Sequence, residues 1–325
     1  MSRHYHNKRK YRKSDTAVVT HFALPLQGWS GAGLNGIVRA PDGIPSLPHW
    51  GVGLTICIAS RCFASSSIIS IYDASISLGG ATSGEIPIKN QILTGRWRML
   101  LAGNDISPAW QIHRRVRAKF KSLGVSANDL SLDHVSRAIA EAYQEELKQA
   151  RTDQVLGAYG LDMDRFLREG RVGLGDNVYE EIFHEMQECC FDLDLLIYGF
   201  EGTHFAHIFT VSNPGKIASQ DLVGFAAIGS GSWTAMGSLI GQRPASLTEP
   251  EMIYRLCEAK FLSEKATGVG RDSYVAILES GGTERLIYTE QLEEVRRIWE
   301  SEGRSKIPPL ALKAIEEELK KGRTR

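Results

Sequence analysis

Apolar and polar positions change rhythm several times along this chain. Residues 1–13 are a basic run with no apolar period, and residues 14–53 are rich in Gly, Pro and Ser without sustained periodicity. From Leu54 the pattern shifts abruptly. Leu54–Ser60 and Ile68–Tyr72 are short apolar runs with β-branched residues, which suit buried strands, with a turn at Ser65–Ser67 and Asp73 closing the second. Gly79–Gly84 reads as a loop. Ile88–Leu93 and Arg96–Ala102 predict two more strands around a turn at Thr94–Gly95. Four short strands in hairpin rhythm point to a twisted sheet.

The middle is helical. Pro108–Leu123 and Val178–Cys189 carry helical spacing, and Leu132–Ala150 is amphipathic behind Ser131 as N-cap. Strands return at Leu193–Phe200 and Phe205–Val211, joined at Glu201–Thr203, and at Phe225–Ile228. Ser232–Ile240 and Glu249–Ala266 predict helices, Ser273–Leu278 and Arg285–Tyr288 a closing hairpin, and Thr289–Ser301 and Leu310–Gly322 charged terminal helices. Strands, helices, strands, helices, strands is not the alternation of a parallel α/β fold. It suits an α+β fold of two antiparallel sheets with helices outside them. The organisation expected is an N-terminal extension over 1–53, a domain over 54–290 and charged helices over 291–325.

Composition narrows the class. The chain has 325 residues, 42% hydrophobic and 23% charged, with zero formal net charge. That is a globular profile, neither disordered nor generally nucleic-acid-binding. No apolar run reaches the roughly 18–20 residues a membrane helix needs, and the N-terminus lacks the apolar stretch of a signal peptide. Neither a membrane nor nucleic acid is therefore expected as a partner, the basic run at 1–13 being read as a solvated end. The five cysteines are odd in number and form no CxxC pair, which argues against a disulfide framework and a cysteine-built zinc site. No metal or cofactor is expected, and a reducing cytoplasm is the simplest setting.

Candidate chemistry begins at Thr55. The segments LTICIAS, IYDASIS, IKNQIL and MLLAGND follow one another between residues 54 and 105, with AIGSGSWTAMGSLI and AKFLSEKATGVG further on. In this order they resemble proteasome β-type subunits, N-terminal-nucleophile (Ntn) hydrolases, over about residues 54 to 290. Asp73 and Lys89 are sixteen apart, Lys89 and Gly103 fourteen apart, and both separations agree with that family's pattern. The resemblance implies a four-layer α-β-β-α sandwich. It also implies a threonine amidohydrolase or peptidase, with a catalytically silent assembly or binding subunit as the alternative. Thr55 would be the nucleophile, with its own α-amine as base once it is N-terminal. Asp73 would orient a charged Lys89, and the Gly103 N–H would meet the oxyanion. Ser230, Glu264 and Thr267 would surround the amine, although the family usually has Asp and Ser at the last two positions. A shift of one residue would put Ser263 at the acidic position. Ser77 matches a residue whose backbone contacts extended peptide substrate. The partners implied are a peptide or amide substrate and a homo-oligomeric ring, with room for an unfoldase or regulator.

An internal threonine has an amide in place of the amine. Two routes would free Thr55. One is autolytic removal of residues 1–54, where Leu54 stands in place of the family's usual Gly. The other is translation starting at 54, since a leucine codon such as TTG can act as a start read as Met.

Other motifs point to packing or solvent. Gly31–Gly36 matches GxGxxG, but Pro25 precedes it and Pro41, Pro45 and Pro48 follow, so the strand and helix of a dinucleotide site are not predicted. Glu181 and His184 share a helix face without a second such pair. His204 and His207 flank a strand turn, Cys189 and Cys190 read as packing, and Ser230 and Ser232 do not make G-x-S-x-G.

Overall fold

The computed structural model describes residues 55–74, 76–78, 81–83, 89–242 and 246–303; the side chains of 76–78 and 81–83 are outside that description. The expectations for residues 1–53 and for a helix at 310–322 lie outside the described residues.

The fold is α+β, built on two five-stranded antiparallel sheets. Strands β1 (Cys57–Cys62) and β2 (Ser67–Asp73) form a hairpin in register Cys57↔Tyr72. The chain leaves them through a small hairpin, β3 (Ile76–Leu78) with β4 (Ala81–Ser83), so the stretch read as a loop contains a strand. It then enters the second sheet at β5 (Asn90–Ile92) and β6 (Trp97–Gly103). The four strands expected in one sheet are therefore divided between two. The reason is burial: every position of β2 and of β6 is buried, so no polar face marks which neighbour each takes.

Helices α1 (Ser107–Ser122), α2 (Leu132–Gln154), α3 (Met163–Leu174) and α4 (Asp176–Glu188) follow. Pro108 sits in the first turn of α1, and Ser131 caps α2 by accepting the His134 N–H. Strands β7 (Leu193–Glu201), β8 (Phe205–Ser212) and β9 (Lys216–Ser219) complete the second sheet in the order β5-β6-β7-β8-β9. The first sheet is completed from the C-terminal half. Strand β10 (Phe225–Ile228) pairs with β1, and β11 (Ser273–Glu279) with β2 and β12 (Glu284–Ile287), giving β10-β1-β2-β11-β12. Helices α5 (Ser232–Ile240) and α6 (Glu249–Ser263) connect β10 to β11, and α7 (Thr289–Ile298) follows β12.

Three apolar clusters hold these elements. Cys57, Ala59, Ile68 and Ala276 of the first sheet meet Leu100, Leu196, Tyr198 and Ile208 of the second. The other face of the first sheet, with Ile56, Ile58, Ile71 and Ile277, packs on Leu239 of α5 and Leu256 and Phe261 of α6. The other face of the second sheet, with Met99, Leu101 and Ile197, packs on Ile112 of α1 and Ile139 and Tyr143 of α2. Complete burial of one such side chain contributes roughly 1.5–3 kcal/mol. Helices α3 and α4 enclose a smaller core around Phe166 and Ile182. The segment expected to open a charged tail also enters the core: Leu292 of α7 and Trp299 just after it are buried with α6. Among the described residues no helix is long and apolar enough to cross a membrane.

Candidate functional site

The β1–β2 register determines which residues meet at one end of the first sheet. Asp73, the last residue of β2, donates its N–H to the Ile56 carbonyl (3.2 Å). Its carboxylate therefore reaches back along the start of β1. Oδ1 accepts the Thr55 hydroxyl (2.7 Å) and the Ile56 N–H (3.1 Å). Lys89, immediately before β5, brings an ammonium from the second sheet. Its Nζ lies 2.5 Å from Asp73 Oδ1 and also donates to Thr55 Oγ1. Oδ2 of Asp73 accepts the Gly270 N–H (2.8 Å). Four donors thus converge on one carboxylate, and Thr55, Asp73 and Lys89 are 2%, 0% and 1% exposed. Hydrogen bonds with one ionised partner are about twice as strong as neutral ones, and a buried ion pair tolerates no loose geometry.

The segment between β10 and α5 closes over the backbone of Thr55. Ser230 Oγ is within hydrogen-bonding distance of the Thr55 carbonyl (3.3 Å) and the Thr267 carbonyl (3.1 Å). Gly229 precedes it with φ +95°, and a Cβ built there would overlap the Thr55 carbonyl oxygen. Only glycine meets both demands. Cys57 follows two residues after Thr55 on the same side of β1, donating to the Leu101 carbonyl (3.4 Å). Burial pushes its thiol up to about 12 against the opposing pull of Lys89, which leaves it a poor nucleophile near neutral pH.

The residues singled out from sequence are not all brought together. Thr55, Asp73 and Lys89 are in mutual contact; Ser230 reaches them at the Thr55 carbonyl, and Thr267 is reached only through Ser230 Oγ, at its own carbonyl. Gly103 ends β6 opposite Leu193, where a Cβ would overlap the Asp192 carbonyl, so strand packing alone already requires glycine there. Ser77 lies in β3 opposite Thr82, and its side chain is outside the described residues. Glu264 is engaged by two cations. Oε1 accepts from Lys260 (2.5 Å) and Arg296 (2.8 Å), and Oε2 from Arg296 (2.7 Å). Lys260 sits one turn earlier on α6 and is fully buried, and such an ammonium requires an anion. Ser263, the other residue weighed for that position, donates toward the Ala259 and Gly231 carbonyls (2.7 and 3.0 Å).

Sequence reasoning missed Gly270, because a backbone N–H leaves no signature in residue type. It also missed the Lys260–Glu264 pair, whose i,i+4 spacing on a predicted helix was the available signal. Among the described residues no group of three or more His, Cys, Asp or Glu side chains is placed to hold a metal ion.

No protein-family model matches the chain, and no curated protein matches it in sequence. A solved structure does match in fold: a mutant of Anbu from Hyphomicrobium sp. strain MC1, with a TM-score of 0.54 and 13% identity, covering 76% of this chain and 94% of that one. At that identity the likeness concerns the fold alone.

Proposed function

We propose that this chain is a proteasome-like threonine amidohydrolase of four-layer α-β-β-α architecture, cleaving peptides or a related amide with Thr55 as its N-terminal nucleophile. The observation that carries the reading is the buried contact of Thr55 Oγ1 with Asp73 Oδ1 and Lys89 Nζ. The fold likeness to Anbu supports it, as do the apolar clusters on both faces of each sheet.

The chemistry needs a base for a weakly acidic hydroxyl. The freed α-amine of Thr55 takes the hydroxyl proton, and Oγ1 attacks the substrate carbonyl carbon. An α-amine titrates near roughly 7.7–8.0, and the Lys89 ammonium favours its neutral form by like-charge repulsion. The oxyanion forms toward the Gly103 N–H. The C–N bond then breaks, and the leaving nitrogen takes the proton from the Thr55 ammonium. Water adds to the resulting ester, giving a proton to the same amine, and the acid leaves with Oγ1 reprotonated. Ser230 holds the Thr55 backbone at its carbonyl, Thr267 borders the site through Ser230, and β3 presents Ser77 to an extended substrate. The same reading carries a cytoplasmic homo-oligomeric ring open to an unfoldase or regulator.

One observation favours the alternative, a catalytically silent assembly or binding subunit. Thr55 is 2% exposed and follows Leu54 in the chain, so its nitrogen is an amide as it stands. Intact mass and amide hydrolysis together separate the two. The hydrolase reading expects protein beginning at Thr55 to cleave a fluorogenic peptide amide, and its Thr55→Ala form to be inactive. Equal hydrolysis by both forms would remove Thr55 from the mechanism. Native protein that retains every residue before Thr55 and hydrolyses nothing is the silent subunit's signature.

A further inference from the structure

The Asp73 carboxylate is held on its second oxygen by a backbone amide, and that amide is itself held from behind. Gly270 donates its N–H to Asp73 Oδ2 (2.8 Å), while its own carbonyl accepts from Lys260 Nζ (2.7 Å). The next carbonyl, that of Arg271, accepts from Lys260 Nζ (2.6 Å) and from Arg296 Nη2 (2.8 Å). Glu264 joins the two cations, and Arg296 also stacks over the Phe261 ring at 4.1 Å. Lys260 is 0% and Arg296 4% exposed, so neither is a solvated surface charge. Three elements contribute: the last turns of α6, the turn that follows it, and α7.

We infer that Lys260, Glu264 and Arg296 are positioning residues that clamp the Gly270–Arg271 turn and so keep Asp73 aimed at Thr55 and Lys89. This rests on the reading of Thr55, Asp73 and Lys89 as the reaction centre. Three observations distinguish a positioning role from plain stabilisation. The two cations spend three hydrogen bonds on one two-residue turn and three more on the glutamate that joins them. That turn meets the site through the Gly270 N–H. Asp73 is also close enough to Lys260 for its charge to act on the ammonium. Misplacement of a reacting group by about 1 Å costs on the order of 100-fold in rate without requiring any loss of substrate affinity.

Two measurements test the clamp. In the full chain carrying Thr55→Ala, amide hydrogen exchange needs no activity. Glu264→Gln and Arg296→Met should each speed exchange of the Gly270 amide by about tenfold or more while leaving Ile197, in the second sheet, protected as before. Arg296→Lys, which keeps the charge and loses the fork, should fall between wild type and Arg296→Met. In protein beginning at Thr55, Glu264→Gln should lower kcat about 10–100-fold with KM within about twofold, and Arg296→Lys should recover part of what Arg296→Met loses. Unchanged Gly270 exchange in both Glu264→Gln and Arg296→Met would overturn the clamp, and so would a loss that falls on KM alone. If wild-type protein beginning at Thr55 is inactive, the functional reading fails by itself and the exchange experiment still decides the clamp. Lys260→Met removes three bonds at once; should it not fold, the Glu264 and Arg296 variants carry the test.

Discussion

Replacing Asp73 by asparagine probes the site through stability, with no assumption about substrate. The carboxylate serves three donors on Oδ1 and one on Oδ2, all at 3.1 Å or less. An amide has one acceptor oxygen. Placed toward Thr55, Ile56 and Lys89, it leaves its NH2 facing the Gly270 N–H, donor against donor. The unsatisfied Gly270 amide costs about 1–3 kcal/mol. The larger loss is ionic, because Lys89 at 1% exposure then keeps a charge with no counter-charge, about 3–5 kcal/mol. The single variant should therefore lose roughly 4–8 kcal/mol of a total stability on the order of 5–15 kcal/mol. Lys89→Met should cost about 3 kcal/mol, since Asp73 retains three of its donors. The double variant Asp73→Asn/Lys89→Met buries no charge and should lose only the Gly270 part, about 1–3 kcal/mol. It should be more stable than Asp73→Asn alone. Urea denaturation followed by tryptophan fluorescence suits the measurement, with Trp97 and Trp299 both buried. Costs of the two single variants that simply add in the double, within about 0.5 kcal/mol, would refute the buried pair as described.

Two further outcomes follow from other parts of the structure. Gly229→Ala combines a left-handed φ with overlap on the Thr55 carbonyl; it should cost at least about 2 kcal/mol and lower the thermal midpoint by several degrees, and an unchanged midpoint would refute the close approach. Cys57 and Cys257 are raised by burial from 9.0 to about 12, so the folded chain holds two protons that the unfolded chain releases first. Their contribution is complete below pH 9 and is lost as pH rises from 9 toward 12, by about 1.4 kcal/mol per pH unit for each thiol. Denaturation midpoints at pH 8 and pH 10 should show this fall, reduced in Cys57→Ala/Cys257→Ala, and an equal fall in that variant would assign it to other groups.

Much of the fold was legible because most elements carry a clear period or a clear cap. The helices α1, α2, α5 and α6 and the strands β6, β7, β8 and β10 lie within a few residues of their expected places. Helix α3 was missed because Gly170 and Gly173, poor helix formers, stand inside it, although Asp162 caps it by accepting the Arg165 N–H. Strand β9 was missed because all four residues of Lys216–Ser219 are exposed and none records the pairing with β8. At the site, residues linked by one hairpin and its crossover could be read from spacing, as Thr55, Asp73 and Lys89 were. For Glu264 the i,i+4 spacing to Lys260 was the signal left unused, while its second partner, Arg296, is set by where α7 packs and has no mark in local sequence.

The site also has an order of assembly. Thr55 and Asp73 meet through the β1–β2 hairpin, 18 residues apart, and Lys89 joins them across 16 residues from Asp73. The remaining contacts reach much further: Ser230 to the Thr55 carbonyl spans 175 residues, and Gly270 to Asp73 spans 197. Contacts of that separation form only after β10 has joined β1 and β11 has joined β2, because loop closure must precede them. The Gly270 turn further depends on Arg296 of α7, near the C-terminal end of the described chain. Cleavage before Thr55, if the chain performs it with these residues, therefore follows folding of nearly the whole domain. A chain truncated before α7 should retain its upstream residues, where a complete chain of the hydrolase reading loses them. An external protease acting on the segment before Thr55 would process both chains alike, so intact mass after refolding the two separates self-cleavage from processing by another enzyme.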